Sequence, residues 1–199
     1  MSAGLLSCFL LCFFCVFVVG DLTAPDKFNV LFTTTVNNGG NFTVEVQRAW
    51  APNGVDHFYT LLQPGTYYYD NNGFFRVITD FVAQWGINGD PTVSAKWNVP
   101  IPDDPVVQSN LRGWMTYAAT ALPNSRTTQL FINYANNSYL DASGFAPFAQ
   151  VTDGMNIVDQ IYSGYGETPK QPLIMRDGNS YLETNFPLLD YIITARIVE

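Results

Sequence analysis

The chain has 199 residues, 47% of them hydrophobic, which is enough for one domain with a sizeable core. Its formal net charge of −8 argues against nonspecific binding to nucleic acid or to anionic membranes. All three cysteines, Cys8, Cys12 and Cys15, fall in residues 1–20, so residues 21–199 offer no disulfide framework, thiolate nucleophile or cysteine metal site.

Leu5 to Val19 is almost wholly apolar but shorter than the roughly 20 residues a membrane-spanning helix needs. Small residues at Val18-Val19-Gly20 precede Asp21, so the stretch reads as a secretory signal peptide cleaved near Gly20. Residues 1–4 carry no Lys or Arg, and an uncleaved anchor is the alternative. One domain is expected over 21–199, in the secretory or extracytoplasmic space, free of the membrane once the leader is removed.

Asn29–Thr35 and Phe42–Trp50 are β-rich, and Val36-Asn37-Asn38-Gly39-Gly40-Asn41 between them predicts a hairpin turn. Pro52 opens a helix that runs through Gln63 and stops at Pro64-Gly65. His57, the sole histidine, sits on that helix and has no second histidine or cysteine to complete a site, so a structural role is expected. Tyr67-Tyr68-Tyr69 and the turn Asp70-Asn71-Asn72-Gly73 lead into Gly73–Gly86, GFFRVITDFVAQWG, which reads as two short strands about the polar pair Thr79-Asp80. Ile87–Arg112 is irregular and proline-rich; Asp90, Asp103 and Asp104 lack the spacing of a cation loop and are taken as solvated loop charges. Gly113–Ala118, Thr128–Tyr134 and Ala146–Val151 predict strands, and Gly154–Tyr162 a second helix capped by Asp153. Gly164–Pro172 reads as a loop, and Arg176–Leu189 is followed by a last strand, Asp190–Val198. The pattern predicts a mainly β fold: a closed antiparallel barrel of about eight strands capped by two helices. Two acceptor sequons, at Asn41 and Asn136, matter if the host glycosylates this space.

Arg76 is the one arginine in a run that is otherwise mostly apolar. Charges are rarely buried without a partner, so it snorkels from a strand, pairs with an acid, or waits in a groove. The residues around it favour the groove. Phe74-Phe75-Arg76-Val77-Ile78-Thr79-Asp80-Phe81-Val82-Ala83-Gln84-Trp85-Gly86 follows the block F-H-R-V-I-P-G-F-M-x-Q-G-G. Tyr117-Ala118-Ala119, Thr128-Gln129-Leu130-Phe131-Ile132 and Tyr139-Leu140-Asp141 then follow in order. In these blocks the chain resembles the cyclophilins, the cyclosporin-binding peptidyl-prolyl cis-trans isomerases, from about Asn29 to its end. The tail Gly178–Glu183 with Phe186–Ile192 resembles an extension found mainly in a bacterial-type subgroup.

The resemblance implies a cyclophilin barrel of eight strands and a role for each matched residue. Arg76 matches the catalytic arginine, and Phe81 and Phe131 match the phenylalanines of the proline pocket. Val82 and Leu140 match its walls; Gln84 and Gln129 match residues that hold the arginine and the peptide. Ala118 and Ala119 match the strand edge beside which substrate lies. Tyr139 falls where many members have Trp, which implies weak cyclosporin binding, and Phe145 falls where many have His. Phe75 replaces a His that faces away from the arginine. Trp85 replaces a glycine, with the expectation that it crowds the loop. Ala119 lacks the side chain of the usual Asn or Arg.

Rotation about the bond before proline exchanges no proton and no covalent bond, so no cofactor and no metal are expected. The implied partners are proline-containing peptides or unfolded proteins, met by a monomer. A cyclophilin-fold interaction module with little catalysis is the alternative. A third reading, an unrelated secreted carbohydrate binder using exposed Tyr and Trp, has no motif behind it.

Overall fold

Alternation builds the centre of the fold. In β1 (Lys27–Thr34) the residues Phe28, Val30, Phe32 and Thr34 point inward, and in β2 (Asn41–Gln47) Phe42, Val44 and Val46 do the same. The computed structural model describes residues 21–199; the expected leader, its cleavage point and the three cysteines lie outside the described residues. The remaining strands are β3 (Asn72–Gly73), β4 (Arg76–Ile78), β5 (Val82–Trp85), β6 (Trp114–Tyr117), β7 (Leu130–Asn133), β8 (Pro147–Asp153) and β9 (Tyr191–Val198). The helices are α1 (Pro52–Leu61), α2 (Pro91–Trp97), α3 (Met155–Val158), α4 (Gln171–Asp177) and α5 (Asn179–Asn185).

The described strands form one sheet in the order β3-β9-β1-β2-β8-β6-β7-β5-β4, and every pairing is antiparallel. This corrects the closed eight-stranded barrel: the sheet has nine strands and curls into a half-barrel whose edges, β3 and β4, do not pair. The reason lies in what occupies those edges. Phe74 and Phe75 join the two strands with their rings buried, and the Val77 N–H of β4 donates outward to the Gly166 carbonyl at 3.0 Å. A loop therefore takes the edge that closure would have used.

The main core fills the concave side, with Phe32, Phe42, Phe58, Tyr69, Trp85 and Phe148 among its fully buried side chains. Trp85 corrects a second expectation. It does not crowd the loop but lies wholly buried, edge-on to Phe32 at 5.9 Å and to Phe74 at 5.4 Å between ring centroids. A separate, smaller cluster joins Phe75 and Ile87 to Ile174, Leu182, Phe186 and Leu189, beneath α4 and α5.

Helix α1 starts at Pro52 as expected, but no side chain at its N-cap position caps it. Its first amides, those of Asn53 and Gly54, donate instead to the two carboxylate oxygens of Asp104, each at 2.9 Å. Arg126 pairs with the same carboxylate at 3.0 Å, and the Asp104 side chain is only 1% exposed. Asp104 is thus a remote cap rather than a solvated loop charge, and Asp90 is also engaged, its Oδ1 capping α2 through the Thr92 amide at 2.8 Å. Asp103 remains exposed. His57 is structural as expected, buried with its Nδ1 2.9 Å from Asp21.

The second predicted helix shrinks to Met155–Val158, and Asp153 ends β8 without capping it. Gly154 sits at φ 78°, where a Cβ would come within 2.3 Å of the Asn41 carbonyl, so the chain enters α3 through a tight left-handed corner. Asp190 then takes the Tyr162 amide at 2.8 Å and draws the chain off any helical path.

Candidate active site

The β4–β5 hairpin forms about Thr79-Asp80 as expected, with Asp80 at φ 59°. Its register pairs Arg76 with Gln84; the next register pairs Gln84 with Phe131 of β7, and the next pairs Phe131 with Thr116 of β6. Residues directly opposite across strands share a face. Arg76, Gln84, Phe131 and Thr116 therefore stand in one row on the face opposite the main core, at steps of about 4.8 Å. Trp85, Leu130 and Ile132, one residue out of phase, point into the core.

Side-chain bonds tie that row together. Arg76 Nη1 donates to Gln84 Oε1 at 3.3 Å, Gln84 Nε2 to Gln129 Oε1 at 2.9 Å, and Gln129 Nε2 to Gln171 Oε1 at 3.1 Å. Arg76 Nε donates to Glu167 Oε2 at 3.1 Å. The guanidinium carbon lies 5.4 Å from the centroid of the Phe81 ring, within cation–π range. The charge is thus held by an acid and an amide, laid over an aromatic face, and left 27% exposed.

Next to it lies the apolar part. Phe131 meets Phe145 edge-on at 5.9 Å between centroids. Leu140 and Tyr139 belong to the turn Ser138–Ser143 that follows β7, where Leu140 is half-buried and Tyr139 is 63% exposed. Val82 lies on the groove face but is buried at 2% exposure, so it underlies the wall rather than opening onto it. Ala118 and Ala119 continue past β6, Ala118 half-buried with its N–H on the Gln129 carbonyl at 2.9 Å and Ala119 exposed. With Gln84, Gln129 and Gln171 they line a pocket of about 210 Å³. Asn41 lies in β2, and Asn136, whose Oδ1 accepts the Ser138 amide at 3.1 Å, sits just before the Tyr139 turn; both are exposed. Among the described residues no three His, Asp or Glu side chains gather to hold a metal ion.

Three parts of this site were not foreseen. Glu167 and Gln171 come from the stretch read as a loop. Asp141, matched only as a motif residue, anchors the Tyr139 turn: it accepts from Ser109 Oγ, the Asn110 amide at 2.9 Å and Asn110 Nδ2 at 2.7 Å. Burial pushes its carboxyl up, but these hydrogen bonds outweigh that and hold it below the usual carboxylate range. Helix α4, which begins with Gln171, and α2 each carry Pro in the first turn, and Asp90-Pro91 is a cap signal that would have found α2.

A curled antiparallel sheet carries a tethered cation beside an aromatic cleft, a combination suited to a ligand with an apolar ring and polar backbone groups. The comparisons carry this further. The family described as cyclophilin type peptidyl-prolyl cis-trans isomerase/CLD matches residues 31–178. A peptidyl-prolyl cis-trans isomerase of Acinetobacter baylyi is 32% identical over 148 residues, 68% of this chain and 78% of that protein. Peptidyl-prolyl cis-trans isomerase A of Dickeya dadantii is 30% identical, covering 77% of this chain and 84% of that protein. A solved cyclophilin type isomerase of Cryptosporidium parvum superposes with a TM-score of 0.63 at 21% identity, over 87% of this chain and 98% of that one. The chain belongs to the cyclophilin-type peptidyl-prolyl cis-trans isomerases, and it is an isomerase of X-Pro bonds.

Proposed function

We propose that the protein accelerates rotation about X-Pro bonds of extended or unfolded client chains outside the cytoplasm, in the manner of the bacterial-type members of its family. One observation carries the reading: Arg76, fixed on Gln84 and over Phe81, stands in the same cross-strand row as Phe131. Amide resonance sets a barrier of roughly 18–20 kcal/mol to rotation. A millionfold acceleration needs about 8 kcal/mol of that removed. Half-way through rotation the prolyl nitrogen is pyramidal and regains a lone pair. A guanidinium N–H aimed at that lone pair makes a bond that the planar amide cannot accept, so it stabilises the transition state selectively. Phe81, Phe131 and Phe145 supply the apolar seat for the pyrrolidine ring, with Leu140 on its wall. Gln84 holds the arginine and is itself held by Gln129, and the Ala118–Ala119 edge receives the backbone beside the ring. A related structure was solved in the presence of the dipeptide Ala-Pro, the smallest ligand of this kind.

The secretory location rests on the apolar leader, and the exposure of Asn41 and Asn136 is compatible with glycosylation there. Tyr139 in place of Trp supports weak cyclosporin binding. The alternative, an interaction module with little turnover, loses one argument because Trp85 does not intrude on the groove. The test is an isomerisation assay on proline peptides with the chain from Asp21, wild type beside Arg76→Ala. A loss of kcat/KM of about a hundredfold or more is expected. Turnover absent from a folded, peptide-binding wild type would favour the interaction module.

A further inference from the structure

The segment between α3 and β9 does more than cover a sheet edge. It delivers two polar side chains to the arginine network: Glu167 on Arg76 Nε at 3.1 Å and Gln171 on Gln129 Nε2 at 3.1 Å. Both deliveries are anchored. Gly166, the neighbour of Glu167, accepts the Val77 N–H at 3.0 Å, one residue from Arg76. Gln171 begins α4, whose Ile174 is wholly buried in the cluster with Phe75, the neighbour of Arg76 on its other side.

The bonds also share a direction. Arg76 donates to the Gln84 carbonyl, the Gln84 amide NH2 to the Gln129 carbonyl, and the Gln129 amide NH2 to the Gln171 carbonyl. Each amide accepts on oxygen and donates on nitrogen, so the links polarise one another in the same sense. The Gln171 carbonyl fixes which end of the Gln129 amide faces Gln84. That in turn keeps the Gln84 oxygen, not its NH2, toward the guanidinium. With Nε on Glu167 and Nη1 on Gln84, Nη2 makes no hydrogen bond among the described residues and is the arm left to donate.

The geometry points to Glu167 and Gln171 as positioning residues for isomerisation: they act through Arg76 and Gln129, setting the plane of the guanidinium before the substrate arrives. The inference rests on the isomerase reading. It makes the acid on the arginine an aid to turnover, where a simple competitor for the cation would be an inhibitor.

The test uses the chain from Asp21 and compares wild type, Glu167→Gln, Gln171→Ala and Gln171→Asn, with kcat and KM separated and folding checked by thermal melting. Glu167 is 68% exposed, so Glu167→Gln leaves the melting temperature unchanged. Its kcat falls about threefold while KM moves little, in line with an exposed ion pair. Gln171→Ala lowers kcat by roughly fivefold and Gln171→Asn, one methylene short, does not restore it. Raising salt to about 1 M, where charges are screened beyond about 3 Å, lowers wild-type kcat toward that of Glu167→Gln and leaves the variant flat. A Glu167→Gln enzyme with wild-type or higher kcat, or a salt response shared by both, overturns the inference while leaving the isomerase reading intact. A folded wild type with no turnover overturns the isomerase reading itself.

Discussion

Phe74, Phe75 and Arg76 are consecutive, yet each belongs to a different region. Phe74 enters the main core inside the curled sheet, Phe75 enters the smaller cluster under α4 and α5, and Arg76 turns to the groove. The first region is knit by long strand pairings and closes around large buried aromatic side chains, Phe32, Phe58, Trp85 and Phe148 among them. The second holds six buried residues and leans on two helices of seven residues each. The contrast teaches a division of labour. The core fixes where the row of Arg76, Gln84 and Phe131 lies, and the small cluster fixes how the arginine is pointed.

The sharpest way to break that division is to excavate each region in turn. Phe58, in ring contact with Phe148 at 5.2 Å and Tyr69 at 5.5 Å, is wholly buried in the core. Phe58→Ala is expected to cost about 3–5 kcal/mol of global stability. The protein that stays folded retains wild-type kcat. Leu182→Ala in the small cluster is expected to cost about 2 kcal/mol, at the low end for its type, and to lower kcat through a loosened Glu167 and Gln171. Denaturant unfolding beside kinetics checks both. Equal losses of stability with no change in kcat would mean that the two regions are one cooperative unit.

The Tyr139 turn gives a milder test, because its hold depends on charge. The folded carboxyl of Asp141 is held below its ordinary value, so its contribution to stability is fully present above the unfolded carboxylate range, about pH 3.9. It is lost as pH falls through the lower, folded value. Asp141→Asn should lower the melting temperature at neutral pH and flatten its fall in acid. An unchanged acid limb would show that other carboxylates set it. The smallest effect is expected at the rim: Tyr139→Trp exchanges the phenol O–H for an indole N–H on a larger ring at an exposed site and should tighten cyclosporin about fivefold by calorimetry, with kcat unchanged. No tightening would remove Tyr139 from the rim of the binding surface.

Much of the first region was legible in the sequence because its signals are local. Period-two alternation marked β1 and β2, Asn-Gly-rich residues marked their turn, and Pro52 marked α1. The row through Arg76, Gln84 and Phe131 followed from matched blocks. The second region was not legible, since its determinants are long-range. Nothing near Glu167 in the chain announces Arg76, 91 residues away. Asp104 read as a solvated charge because the amides it caps lie 50 residues earlier. Closure of the barrel failed for a related reason: strand propensity cannot reveal that a loop carbonyl has taken the edge.

That loop carbonyl matters in another way. A strand edge with unpaired N–H and C=O groups is a template onto which any extended chain can add itself, and edges left bare invite aggregation. A catalyst whose clients arrive extended and unfolded, as proposed above, would meet that hazard at every encounter. With the Val77 N–H already satisfied by Gly166, a client finds less to pair with along β4. Such a client would be left to the neighbouring groove, where it can be turned over and released rather than woven into the sheet.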